Sequence, residues 1–432
     1  MKTVLVIGAY GMIGSGIVRA LRAEGHRVIG LGRNRHAALR AFPMIDWFIQ
    51  DLDFMTEPRA WADVLDEVEF VVNCAGTHGI GGRVEAELVH HSAVAALASI
   101  CADTGIGLIH MSCAGASVDS SDPHLRHIGA GDAAVAVFGG EYWILRPGLV
   151  LGEGASAPGR VLRALAAVRL FRLTAFARRR VQTVALPDLA DAVLQCLDGD
   201  IAAGTIADIV EAEPQAMTTL IRDLRVWLGI GPGGLPLHLP AVLLWPLALG
   251  GTVLATLGWR PALQLATLRR LSRDVLGDPA PWVAAGGDPP RPMARNLAML
   301  PATSDTRAAA GLAQLLPLIV ILLALITGTS GVASWFEREA LYALLEGTGL
   351  PQNLRDALVY GTVFIQVSLG MMLLMRRTAR MAAWGVITLA LIFLVAATRV
   401  VPTLWFDPMV PLLNLLAVIM LGVIVLIALP RR

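Results

Sequence analysis

The hydrophobic pattern divides this chain into two unlike parts. Residues 3–7, Thr-Val-Leu-Val-Ile, form the unbroken apolar run of a strand buried on both faces. Gly8 to Gly14 is a glycine-rich turn, Ser15 to Glu24 has helical character, and Arg27 to Leu31 reads as a second strand. This succession predicts an α/β unit built on a doubly wound parallel sheet. The C-terminal part follows another rule. Uncharged stretches cover Ala308–Phe336, Ala357–Met375, Met381–Thr398 and Pro408–Pro430, each near the ~20 residues a helix needs to cross ~30 Å of hydrocarbon. Four such helices in succession, none with a polar face, predict an all-α transmembrane four-helix bundle.

The loops give that bundle a direction. Arg376, Arg377 and Arg380 separate the second and third stretches, and Arg431-Arg432 follow the fourth. Glu337, Glu339, Glu346 and Asp407 occupy the other loops with only Arg338, Arg355 and Arg399. The positive-inside rule then places the N-terminal part, the middle loop and the C-terminus together in the cytoplasm, with the bundle in the inner membrane. A fifth apolar stretch, Leu237–Trp259, is interrupted by Pro240, Pro246 and Gly250-Gly251, and reads as an interfacial or buried helical segment. Asp278–Pro301 carries five prolines before its end and reads as loop or linker. The expected domains are therefore 1–230, a 231–306 cap or interfacial segment with linker, and 307–432.

Composition agrees with a membrane-bound chain. Of 432 residues 55% are hydrophobic and 16% charged, with a mean hydropathy of +0.63, against about 25% charged in soluble domains. Lys+Arg 35 against Asp+Glu 34 leaves a net charge of +1, without the basic stripe of a nucleic-acid binder. The expected partner is the lipid bilayer. Cys74, Cys101, Cys113 and Cys196 have no metal-ligand spacing and read as reduced thiols. MKTVLVIG runs into the glycine turn without the cleavage signature of a signal peptide.

The turn itself, Gly8-Ala9-Tyr10-Gly11-Met12-Ile13-Gly14, has the spacing of a dinucleotide site. Gly8 permits the tight turn, Gly11 lets backbone approach a pyrophosphate, and Gly14 lets helix and strand pack closely. The helix N-terminus supplies N–H groups and a positive dipole to the phosphates. An NAD site usually ends its second strand in an acidic residue for the ribose 2′-OH, whereas this one ends in Gly32-Arg33. A guanidinium there suits a 2′-phosphate, so NADP(H) is the preferred cofactor and NAD(H) the second choice.

With Asp51-Leu52, Val71-Val72-Asn73-Cys74-Ala75-Gly76 and Leu145-Arg146-Pro147-Gly148 in order after that turn, the first 300 or so residues resemble the extended and atypical short-chain dehydrogenase/reductases. Among these, they are similar to the NAD(P)-binding, epimerase-like proteins that include the Rossmann-type accessory subunit of respiratory complex I. The four apolar stretches resemble the DoxX-like domains fused to such proteins. The resemblance implies that Asp51 and Leu52 flank the adenine, that Asn73, Ala75 and Gly76 line the cofactor, and that Pro147 lies near the nicotinamide.

It also implies chemistry that this chain lacks. The family uses a serine with a Tyr-x-x-x-Lys on one helix face. Ile109-His110-Met111-Ser112 matches the serine strand, so Ser112 is the aligned hydroxyl. Aligning Asp132 with the acidic residue four positions after the family's lysine puts Ile128 at the lysine position and His124 at the tyrosine position. Lys2 is the only lysine, and none of the four tyrosines has a lysine four residues on. His124, His127 or His110 are the remaining proton-transfer candidates near neutral pH. Two functions stay open. One is a membrane-anchored NADP(H)-binding protein with a degenerate catalytic pair, linked to quinone or respiratory-complex redox metabolism. The other is an active NADPH-dependent reductase or epimerase on a lipophilic substrate.

Overall fold

In the computed structural model the described residues are all but 77–85, 153–156, 168–170, 174–175, 177, 232–234, 238–243, 260, 262, 300–303, 347–348, 401, 407–410 and 430–432. The chain forms two compact units. One comprises residues 1–243 with 266–304, the other 244–265 with 305–432.

The first unit holds a seven-stranded parallel sheet. Its strands are β1 (Thr3–Ile7), β2 (Arg27–Gly32), β3 (Asp46–Ile49), β4 (Phe70–Asn73), β5 (Gly107–Met111), β6 (Tyr142–Pro147) and an edge strand Thr205–Ile209. Their order across the sheet is edge strand, β6, β5, β4, β1, β2, β3, with every pair parallel. The order reverses at β1–β4, and ligands of such sheets bind beyond the carboxyl ends of the strands at that point. Helices α1 (Met12–Ala23), α2 (Arg35–Ala41), α3 (Ala93–Thr104) and α4 (Pro123–Phe138) include the crossovers.

The continuous apolar run of β1 has a direct structural cause. Val4 and Val6 belong to one core, with Ile17 and Leu21 of α1, while Leu5 and Ile7 belong to a second core with Leu97 and Cys101 of α3. Both faces of the strand are covered, so side-chain alternation cannot produce a polar face.

The first unit also absorbs the proline-rich stretch that reads as a linker. Trp282 lies in the α1-side core at 1% exposure, and its indole N–H donates to Asp288 O at 2.8 Å. Arg291 pairs with Asp188, whose Oδ2 also accepts from the Arg291 N–H at 2.9 Å. The prolines of 278–292 thus shape a strap whose contacts lie about a hundred residues back in the chain.

In the second unit, Leu315–Phe336, Gln352–Leu374 and Ala379–Val400 are long and apolar enough to cross a membrane. Leu412–Ala428 and Trp245–Thr256 are apolar but shorter. Their core includes Val320, Leu323, Leu373, Ala382, Ala383, Val386 and Val425. Close helix approach relies on small residues, for a Cβ on Gly370 would stand 3.0 Å from Ala324 O. Phe364, Ile392 and Val395 project outward from the bundle. Helix Trp245–Thr256 belongs to this unit and not to a separate 231–306 segment, because Trp259 anchors it. That residue is buried, its indole donates to Leu374 O at 2.6 Å, and the Arg376 N–H donates to Leu257 O at 3.0 Å.

Candidate functional site

The glycine turn is closed by backbone alone. Gly8 takes φ +74°, a left-handed conformation that favours glycine. Its carbonyl accepts from the Gly11 N–H at 2.8 Å, and its N–H donates to Leu31 O of β2 at 2.9 Å. Gly14 is fixed by proximity, since a Cβ there would come 2.4 Å from Gly8 O. A Cβ on Gly11 would reach the same oxygen at 3.0 Å. Helix α1 begins at Met12 and Ile13 with Gly11 as its N-cap, which brings no capping side chain. The first N–H groups and the positive end of the dipole therefore face the turn, in the arrangement that holds a pyrophosphate. The loop after β4 stands beside it, for a Cβ on Gly8 would lie 3.1 Å from Cys74 O and 3.2 Å from Ala75 N.

Next to this cradle, at the end of β2, Arg33 is 63% exposed and its Nη1 lies 4.0 Å from Asp51 Oδ2. Asn34 Oδ1 accepts from the Ala37 N–H at 3.0 Å and so caps α2, fixing the backbone immediately after Arg33. Asp51 in turn caps the short turn Leu52–Phe54, and Leu52 packs on the α3-side core. Arg33, Asp51 and Leu52 are thereby brought to one corner, although they lie on separate connections. Tyr10 fills the space over Gly32, where a Cβ would stand 2.3 Å from Tyr10 Cε1.

Asn73 is buried at the end of β4. Its Oδ1 accepts from the Ala75 N–H at 3.1 Å, and its Nδ2 meets His110 Nδ1 at 3.1 Å. His110 Nε2 faces Asp132 Oδ1 at 3.6 Å. The other Asp132 oxygen accepts from the Ser112 hydroxyl at 2.9 Å and from Arg146 Nε at 2.8 Å. Burial holds the His110 pKa below its ordinary value; the Asp132 carboxylate opposes that shift, and the Arg146 guanidinium adds to it. A buried chain of polar groups thus ties β4, β5, α4 and β6 together. Ser112 belongs to it, with its hydroxyl proton directed to Asp132. Pro147 ends β6 and accepts from the Ala114 N–H at 2.9 Å, which sets the course of the loop after Ser112.

Ile128 is buried at 7% exposure. Its side chain has no hydrogen-bonding group, so it performs neither job of a lysine. His124 is half-buried in the first turn of α4, where its N–H donates to Asp122 Oδ1 at 2.9 Å. Its ring meets the ring of His90 edge to face, with centroids 5.1 Å apart. His90 lies on a π-helical turn, Leu88–Ser92, that leads into α3. It is absent from the residues that sequence motifs single out; the available signal is the His90-His91 pair inside an apolar helical stretch. Cys101 and Cys196 are buried, and burial pushes both thiols up to about 12, so they are inert packing groups. Among the described residues no cluster of His, Cys, Asp or Glu is arranged to hold a metal.

Residues 4–124 match the NAD dependent epimerase/dehydratase family, and residues 324–423 match the DoxX-like family. The chain joins an epimerase-type domain to a DoxX-like membrane domain. The probable low-salt glycan biosynthesis reductase Agl14 of Haloferax volcanii is 34% identical over 113 residues, 25% of this chain and 35% of that protein. The chain therefore aligns with about a third of that curated relative. Among solved structures, the Thermotoga maritima UDP-glucose 4-epimerase with UDP-glucose aligns with a TM-score of 0.52 and 14% identity, over 68% of this chain and 96% of that one. The Bordetella bronchiseptica enzyme WbmG in complex with NAD gives 0.53 and 13%, over 72% and 96%. At such identities the likeness is one of fold. The glycine turn, the second-strand end, the Asn73 loop and His124 lie within the residues matched to the epimerase family, and Ile128 lies beyond them.

Proposed function

We propose that this protein is a membrane-anchored NADP(H)-dependent oxidoreductase that works without the Tyr–Lys pair. The observation that carries the reading is the corner formed by the uncapped α1 N-terminus and the exposed Arg33 guanidinium beside Asp51. Gly8, Gly11 and Gly14 let the turn close on neighbouring backbone, where a Cβ would meet Gly8 O or Cys74 O, and the α1 N-terminus carries no capping side chain, so the residues present fit the pyrophosphate of a dinucleotide. Tyr10, Met12, Ile13, Asp51, Leu52, Asn73, Ala75, Gly76 and Pro147 complete the expected lining. Arg33 selects for the 2′-phosphate, which an acidic residue would repel. When bound, the cofactor supplies a hydride. The chain supplies its orientation, through the turn and the buried Asn73–His110–Asp132 chain.

The bilayer is the partner of the DoxX-like domain, and the reading places it in the cytoplasmic membrane. Arg376, Arg377 and Arg380 then lie on the cytoplasmic side, with the epimerase-type domain and the C-terminus. A substrate class follows from this anchorage: a lipophilic carbonyl compound or lipid-linked sugar that stays at the membrane. The match to a glycan biosynthesis reductase supports a sugar within that class. A second reading, a binding subunit without turnover that serves a quinone-linked membrane complex, is favoured by one observation. The Ser112 hydroxyl is committed to Asp132 and Ile128 replaces a lysine. The test is NADPH oxidation by the purified full chain with aldehydes, ketones, nucleotide sugars and quinones. Turnover with a carbonyl or sugar substrate supports the reductase, whereas tight NADPH binding with no turnover supports the binding subunit.

A further inference from the structure

At the carboxyl end of the sheet, His90 stands between the cofactor-lining loop and α4. A Cβ on Gly76 would be 3.5 Å from His90 Cε1, so the ring touches the loop expected to follow the cofactor. On its other side it meets the His124 ring at 5.1 Å between centroids, edge to face. His90 is 8% exposed, and its position is over-determined by backbone packing. The π-helical turn places the His90 carbonyl against α4, where a Cβ on Gly131 would approach it to 2.2 Å. Single π-turns inside helices are frequent at functional sites. Here the turn aims an imidazole at the one half-buried imidazole of the first α4 turn.

We propose that His90 and His124 form a proton-exchanging imidazole pair at the reactive end of the cleft. In it His124 gives its proton to the oxygen of a carbonyl substrate, and His90 positions His124. The inference rests on the NADP(H)-dependent reading above and assigns the acid to it. In the step, the carbonyl carbon receives a hydride from NADPH and the C=O π pair takes the proton of the His124 imidazolium. An alcohol and oxidised dinucleotide result, and the neutral His124 ring regains a proton from water by way of His90. Imidazole suits the task because its unperturbed pKa lies near neutral pH, so no lysine is needed to lower it.

The titratable groups on the elements that carry the pair are few among the described residues. Glu87 and His91 flank the π-turn residue His90, Asp53 lies on the short turn packed against it, and Arg126, His127 and the buried Asp132 lie on α4. Asp122 caps α4 and pairs with Arg273 at 2.5 Å.

The test is an NMR titration of histidine-labelled full-length protein in lipid nanodiscs, with ring signals assigned through His90→Gln and His124→Gln. Two unit charges ~5 Å apart disfavour double protonation by about half a pKa unit even at the dielectric of water. Removing either ring charge should therefore raise the midpoint of the other by about that amount or more. His90→Phe keeps an aromatic edge against His124 and should give the same rise, which separates charge coupling from packing. Binding of NADPH should move both signals. Unchanged midpoints in His90→Phe and His124→Gln, in protein that still binds NADPH, overturn the pair while leaving the NADP(H) reading intact. Failure of the wild type to bind NADPH overturns that reading instead, whatever the rings do. If His90→Gln fails to fold, the His90 midpoint in His124→Gln decides the question alone.

Discussion

The ring of Tyr10 lies directly over Gly32: a Cβ at position 32 would stand 2.3 Å from Tyr10 Cε1. The contact links the glycine turn to the strand end that carries Arg33, and Trp47 backs the tyrosine at 6.0 Å between ring centroids. One aromatic side chain of the glycine turn thus packs against the strand end next to Arg33.

Gly32→Ala should push Tyr10 out of this seat. Overpacking of that kind costs about 1–3 kcal/mol, and here it should appear both as a lower melting temperature and as weaker NADPH binding. Gly32→Ala with Tyr10→Ala should recover part of the stability, because the clash then has no partner. Thermal melts of the two variants, with and without NADPH, check this.

The buried chain around Asp132 sets a pH dependence. His110 has its pKa depressed by burial from the usual 6.5. Below that pH the unfolded chain binds a proton that the folded chain does not, so stability falls as pH drops through about 6.5 and is full above it. His110→Asn should flatten that limb of the stability curve. Asp132→Ala should cost more, about 3–5 kcal/mol, because it strands the Arg146 charge and the Ser112 hydroxyl. Chemical denaturation of the two variants between pH 5 and pH 8 measures both effects.

Trp282→Ala should destabilise the epimerase-type domain by about 3–5 kcal/mol, the usual cost of emptying a buried indole site. A residue in a linker would give almost no change. Differential scanning calorimetry separates the outcomes.

Topology is tested by reporter fusions. Fusions after Arg377 and after Arg432 should report the cytoplasm, and one after Gly349 the opposite face. A cytoplasmic signal at Gly349 contradicts the orientation. An external C-terminus contradicts it as well, and points to a crossing by residues 237–259.

What the sequence makes legible is local. Gly11 and Gly14 act on the Gly8 carbonyl a few residues away, and the strand pattern of β1 records its burial on both faces, so turn, strand and sheet type are readable in order. The charge-free stretches report the long apolar helices for the same reason, although the described part of the fourth is shorter than a full span. Long-range partners are not written in local composition. Trp282 sits in a proline-rich stretch that reads as linker, yet it belongs to the same buried core as Val193 and Ala207. His90 precedes His124 by 34 residues and meets it from a π-turn, which shifts the helix face by a fraction of a turn. Ser112 is recognisable by its strand, but its hydrogen bond to Asp132 depends on how α4 packs.

The central claim is that the corner at Arg33 binds the 2′-phosphate of NADP(H), and fluorescence titration of wild type and Arg33→Ala with NADPH and with NADH tests it most directly. Losing a charge-assisted contact costs about 1.5–3 kcal/mol, so the account predicts that Arg33→Ala weakens NADPH binding roughly 10- to 150-fold and leaves NADH binding unchanged. Equal NADPH affinity in the two proteins, or tighter binding of NADH than NADPH by the wild type, would contradict it.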